Sequence, residues 1–316
     1  MLEIQGDSVR FDRDFAVTFQ RTLRVPDDGR TYPLPPGLGT LPIFPVDAYA
    51  ERLPPAWREQ GGVFIPLYQR EALWLGFRSA AIGRSAEPRA VKVAVGGYNV
   101  LSGAREAGGL TARPQDYLVC PPQVWLDGVR TERGSVRQFV AVQLGQGLTL
   151  EATLGGAELR GGLQLRVFRP RAGAMTEAPS ATSASPSRSA ALGFGLGGAI
   201  QQKIYPDPHG VDAWDIDSEA CLAVHALNSL EFRLATGIEP PPTPIDAKTY
   251  ADRGLPWFEL YDEALGDLDA TGRLHQAHTL AELDALTPGG AGDESLAERE
   301  LPLRPIVPGG IGPGKR

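Results

Sequence analysis

The sequence predicts an α+β, β-rich fold: an antiparallel sandwich- or barrel-like core, with short helices mainly in the C-terminal third. Three observations carry this. Gly (38) and Pro (28) together make up about a fifth of the 316 residues, against a usual share near 12%. That composition argues against a helical bundle and for short strands joined by many turns. Apolar residues recur at every second position in several separate runs, the period of a half-buried strand. Turn-forming residues separate these runs at short intervals, a spacing that fits a sandwich or barrel better than a parallel α/β sheet. With 42% hydrophobic residues, a chain of this length can bury a large core without a disulfide or metal staple.

The clearest strand comes first. Phe15, Val17, Phe19, Leu23 and Val25 alternate with Thr18, Gln20, Thr22 and Arg24, and Pro26-Asp27-Asp28-Gly29 supplies the closing turn. Tyr32 to Pro45 holds five prolines, each lacking a ladder donor, so it is expected to run as an extended arm across the surface. Asp47 is placed to cap a short helix through about Arg52, and Pro55 to begin another turn. From Gly62 to Phe77 the spacing fits either a strand followed by a helix or two strands. Val91, Val93 and Val95 then alternate with Lys92 and Ala94 and stop at Gly96-Gly97. Cys120-Pro121-Pro122 marks an edge or exit. Val136, Val140, Val142 and Leu144 share one face of a further strand interrupted by Gln138, and Leu148–Leu154 reads as its hairpin return. Leu163, Leu165 and Val167 form the next.

The composition changes between Pro170 and Ala190, where Pro179 to Ser187 has almost nothing to bury. The expected division is therefore a β-rich region (1–170), a disordered linker or insertion (171–190), an α+β region (191–287) and a disordered tail (288–316). The linker either separates two domains or interrupts one sheet, since a long insertion costs little closure entropy. After it, Cys221–Leu227 reads as a strand and Ser229 opens a short helix ending near Gly237. Asp246 is placed to cap a helix through Arg253, with Gly254 at its end. Pro256 can begin another. Thr279 and Glu282 have capping-box spacing for a last helix.

Four phrases together resemble a family of uncharacterised bacterial proteins: Arg21 to Gly29, Gln115 to Val119, Arg137 to Ala141, and Gly254 to Glu263. The resemblance runs from about Phe15 to Glu263, outside the linker. The family has no established activity, so it implies the boundaries and no catalytic residues.

Composition also bears on function. A formal charge of −7 disfavours nucleic acid as the main partner, because affinity for a phosphate backbone comes from basic residues. Two cysteines, Cys120 and Cys221, exclude a disulfide-stapled secreted design. The N-terminus lacks the basic start and apolar run of a signal peptide, and no stretch approaches the roughly 18 apolar residues of a membrane span. A cytoplasmic location is the expectation.

The run Gly193-Phe194-Gly195-Leu196-Gly197-Gly198 lacks the preceding strand that a dinucleotide fingerprint requires, so it is read as serving turns and close packing, with no cofactor. Gly309 to Lys315 has the spacing of a phosphate-binding loop, but Arg316 stands where Ser or Thr is needed. Asp207, His209, Asp212, Asp215 and Asp217 form the densest acidic cluster, with the hard oxygen ligands that suit a divalent cation. Asp215-x-Asp217-x-Glu219 starts like a calcium loop, yet Ala220 and Ala226 occupy its Gly and Glu positions. The competing reading is a solvated loop anchored by Trp214. Cys221 and His225 would lie about 13 Å apart along a strand, too far for a thiol–imidazole pair, and both are expected to face the core. Trp257, Phe258, Tyr261, Asp262 and Glu263 form an acidic–aromatic patch, suited to docking on the sheet or on another protein.

No nucleophile, cofactor fingerprint or closed metal set stands out. The expectation is a non-enzymatic protein that binds a protein partner or self-assembles as a homo-oligomer. The alternatives are a metal-assisted hydrolase using the Asp/His cluster, or a small-ligand-binding β module.

Overall fold

The computed structural model describes residues 2–79, 87–155, 158, 160–174, 193–242 and 266–286. In chain order the strands are β1 (Glu3–Gln5), β2 (Ser8–Arg10), β3 (Phe15–Thr22), β4 (Thr31–Tyr32), β5 (Gly37–Thr40), β6 (Phe44–Pro45), β7 (Val63–Pro66), β8 (Ala72–Ser79) and β9 (Arg89–Val95). They continue with β10 (Tyr98–Asn99), β11 (Leu118–Cys120), β12 (Trp125–Leu126), β13 (Gly128–Glu132), β14 (Ser135–Val142), β15 (Leu163–Pro170), β16 (Gly193–Gln201) and β17 (Trp214–Leu227). Gly62–Phe77 thus resolves into two strands. The protein is β-rich, with two mixed sheets, no closed barrel and few, short helices lying mostly toward the C-terminus.

A ten-stranded sheet follows the order β1-β2-β3-β8-β14-β16-β4, with β5 on β3, β12 on β8 and β13 on β14. A seven-stranded sheet runs β10-β9-β15-β17-β7-β6, with β11 on β9. Most pairs are antiparallel; β16 with β4 and β17 with β7 are parallel. The sheets face each other across one apolar core. Val17, Phe19, Leu73, Leu75 and Phe139 from the larger sheet share a cluster with Val91, Val93, Leu163, Leu165 and Val224 from the smaller. Strands from either side of 171–190 enter both sheets, β16 joining the larger and β17 the smaller.

The proline-rich arm is tied down at sheet margins. β4 lies along β16, β5 pairs with β3 around Gln20, and β6 borders β7. Gln138, an interruption in the sequence pattern, sits at a register shift in β14. Its side-chain amide donates to the Leu23 carbonyl and accepts from the Val25 N–H, both at 2.8 Å. These bonds pin Leu23–Val25 into the core beyond the end of β3.

Leu148–Leu154 departs from expectation. Leu150–Gly155 is a helix, because the Thr149 hydroxyl accepts the Ala152 N–H at 3.0 Å and caps its first turn. The glycine run 193–198 forms most of β16, whose cross-strand neighbours leave little room for side chains. A Cβ on Gly195 would stand 2.6 Å from the Leu148 carbonyl oxygen and 2.7 Å from Leu280. Close packing, the reading expected of this run, is what these glycines provide. Two helices match their sequence signals. Ser229–Thr236 starts at Asn228, whose side chain accepts from the Glu231 N–H, and stops at left-handed Gly237. Leu280–Leu286 has the reciprocal Thr279–Glu282 box and lays Leu280 on Ala72, Val140 and Val142 of the larger sheet. The helices expected from Asp246 to Arg253 and from Pro256 lie outside the described residues.

Candidate functional site

The residues expected to hold a metal do not converge. Asp207 is occupied: it accepts from the Tyr117 hydroxyl (2.5 Å), the Trp214 indole N–H (2.9 Å) and the His209 backbone N–H (2.8 Å). The His209 ring meets Trp214 edge-on. Asp212 and Asp217 are exposed, and Asp215 accepts the Asp217 backbone N–H. Among the described residues, no group of three His, Cys, Asp or Glu side chains is placed to hold a metal ion. The segment is a loop anchored by Trp214, its carboxylates satisfied locally or solvated.

Cys221 and His225 share one strand, as expected, but only one is buried. Cys221 is exposed, with the Arg166 guanidinium 3.4 Å from its sulfur. His225 stacks on Trp57 with ring centroids 4.5 Å apart, and its Nε2 meets the Gly61 carbonyl oxygen at 3.0 Å. Burial lowers its pKa, which favours the neutral ring in a structural role. Trp257, Phe258, Tyr261, Asp262 and Glu263 lie outside the described residues.

A different set of residues is brought together on the ten-stranded sheet. In β3 the core-facing side chains are Phe15, Val17 and Phe19, which turns Thr18 and Gln20 to the other face. A half-buried strand would leave that face in water, yet both residues are fully buried. Register explains what surrounds them. Thr18 pairs with Gly76 and Gln20 with Trp74 on β8, while Trp125 on β12 lies opposite Gly76 from the other side. Gly76 is the floor of this patch: a Cβ there would stand 2.5 Å from Thr18 Oγ1, 3.4 Å from the Trp74 ring and 3.5 Å from Gln20 Nε2. Only glycine leaves room for the Thr18 hydroxyl against this strand. Asp127 follows β12, its backbone N–H donating to Gln202 and its carbonyl accepting from Phe139.

These side chains are poorly satisfied. Gln20 donates to Thr18 Oγ1 at 2.8 Å, but its carbonyl oxygen has no hydrogen-bond partner. Neither have the indole N–H groups of Trp74 and Trp125, nor either carboxyl oxygen of Asp127, although all these atoms are buried. Burial pushes the Asp127 carboxyl up to about 8, and the Trp125 indole, outside bonding geometry, opposes this only in part. At neutral pH Asp127 is thus mostly a protonated acid, able to donate one hydrogen bond and accept others. Each buried group left unpaired costs about 1–3 kcal/mol, so five such atoms on three neighbouring strand segments are a concentrated cost.

Elsewhere the chain meets comparable demands. Lys92, buried, is caged by Glu106 (3.1 Å), Asp116 (2.9 Å) and the carbonyls of Ala107 and Gly109. Glu71 pairs with Arg21 and accepts the Tyr68 backbone N–H; burial raises its pKa against the pull of that guanidinium. Arg70 and Arg130 each keep two unpartnered nitrogens, but each is already paired, with Asp284 and Asp267 respectively.

Sequence reasoning missed this patch. The alternation in β3 singled out Thr18 and Gln20 as a polar face, and nothing local reveals that two tryptophans from distant strands close over it. Comparison with models of protein families, with characterised proteins and with solved structures finds no match. No helix among the described residues is long and apolar enough to cross a membrane.

Proposed function

We propose that the protein is a non-enzymatic binding module whose ten-stranded sheet holds a small ligand against Trp74 and Trp125. The observation that carries this reading is the concentration of buried, unpaired groups: Gln20 Oε1, two indole N–H donors and the Asp127 carboxyl. Native proteins pair such groups, and a cluster of exceptions calls for an explanation. A polar ligand supplies the missing bonds and recovers their cost. Trp74 and Trp125 are themselves half-buried, so they form the outer wall, and a ligand reaches the inward atoms by displacing the ring edges. Native mass spectrometry of the gently purified protein tests this. The expected result is a retained non-covalent mass that disappears in the double variant Trp74→Ala/Trp125→Ala; a mass equally retained by that variant would refute the assignment.

A second reading, self-association, is favoured by one observation. Leu234 and Ile238 stand four residues apart at the end of the helix Ser229–Thr236, and they are 58% and 41% exposed. Light scattering across a wide concentration range tests it: a dimer dispersed by Leu234→Glu supports it, and a strict monomer removes it.

A further inference from the structure

The ligand-binding reading leaves open which chemistry fits the patch, and the inventory of its groups narrows the choice. We propose, on the basis of that reading, that the occupant is an uncharged, hydroxyl-rich small molecule of the saccharide class. The unpaired atoms are of mixed type: two indole N–H donors, the acceptor Gln20 Oε1, and the two oxygens of Asp127. A hydroxyl group both donates and accepts, so neighbouring hydroxyls can serve an indole N–H and an amide oxygen together. An anion would satisfy the indoles and a protonated Asp127 but face Gln20 Oε1, with no cationic side chain among these four residues to neutralise its charge. A cation would suit the oxygens and leave both indole donors unpaired. A hydrocarbon would leave every group as it is.

The layout of the aromatic rings agrees. Trp125 is opposite Gly76 and Trp74 is two residues from Gly76 on the same strand, which makes the tryptophans diagonal neighbours, about 7–8 Å apart at the backbone. Tryptophan combines a broad apolar surface with one polar edge, and a sugar ring is built the same way, with C–H faces and a hydroxyl rim.

The test uses the full chain, tryptophan fluorescence and calorimetry. The probes are maltose, cellobiose and chitobiose for the proposed class, choline for a cation and inorganic phosphate for an anion. Saturable binding of at least one disaccharide is expected. Trp125→Phe keeps the ring but loses the donor, and Gln20→Leu loses the acceptor; each should weaken that binding about tenfold, the equivalent of about 1.4 kcal/mol. Trp125→Phe should leave the melting temperature unchanged, since the donor it removes is unpaired, and this separates lost recognition from lost folding; Gln20→Leu also gives up the bond to Thr18 Oγ1 and should lower the melting temperature slightly. Choline or phosphate binding sensitive to the same variants, with no disaccharide bound, would overturn the ligand class and leave the site standing. Disaccharide binding unaffected by both variants would place the ligand elsewhere and overturn the site as well. If no probe binds, the class falls, while a native-mass ligand sensitive to the tryptophans would still uphold the site.

Discussion

Asp127→Asn is expected to stabilise the protein at alkaline pH, by on the order of 6 kcal/mol at pH 9. The sign follows from proton linkage. The folded-state carboxyl titrates at about 8, against an ordinary value of 3.8. Between those values the folded chain keeps a proton that the unfolded chain has released. Stability therefore declines as pH rises from about 4 to about 8 and levels off above, where both states are ionised. Asn presents a neutral side chain of nearly the same shape and has no such titration. Urea unfolding of both proteins at pH 5, 7 and 9 measures the difference. The gap should be small at pH 5 and widen toward pH 9. Glu71, also raised by burial, adds a slope of the same sign to both proteins and cancels in the comparison. A gap independent of pH would show that Asp127 is not held protonated by its surroundings.

Lys92→Met is expected to cost about 3–5 kcal/mol, the usual consequence of removing one partner from a buried ion pair. The Lys92 side chain is 4% exposed, and its partners Glu106 and Asp116 are 3% and 11% exposed. Removing the ammonium leaves two carboxylates of the loop after β10 without their shared counter-charge on β9, with Arg166 still 3.3 Å from Glu106. The same loop is organised by Asn99, whose side-chain oxygen accepts from Leu101 N–H, Ser102 N–H and the Ser102 hydroxyl, so the damage should spread through residues 100–117. Combining Lys92→Met with Glu106→Gln and Asp116→Asn should recover part of the loss, because the penalty lies in the unpaired charges. Denaturant midpoints for the single and triple variants check this. A single variant within about 1 kcal/mol of the parent would mean that the cage is solvated.

Strands with strong alternation were legible in the sequence because their pattern is local. Arg89–Val95 shows it: its valines face the opposing sheet and its ends fall where Gly96-Gly97 forces a turn. Helices with side-chain caps were legible for the same reason, as at Asn228 and Thr279. Leu148–Leu154 was ambiguous, since Leu150 and Leu154 satisfy both period two and an i, i+4 helical step; Thr149 was the deciding signal. The full reach of β17, from Trp214, was hidden because the residues after Trp214 are mostly polar and only partly buried, and the strand is held there by pairing with β15.

The candidate site was the least legible part. Thr18 and Gln20 looked like an ordinary solvated face, because burial on that side depends on Trp74 and Trp125, which lie about 55 and 105 residues further along. Acidic residues near one another in sequence, by contrast, drew attention at 207–217, where each is satisfied by a neighbour in the loop, by solvent or, for Asp207, also by Tyr117. Proximity along the chain reported turn chemistry there, while convergence across strands built the patch.

The most direct measurement is NMR of the indole N–H groups, with Trp74 and Trp125 assigned through their Phe variants. Without ligand, both protons should resonate as donors lacking an acceptor, and both should move downfield when the saccharide that binds is added. If both already resonate as strongly hydrogen-bonded donors in the free protein, the groups are not unpaired and the sheet face is an ordinary packed surface.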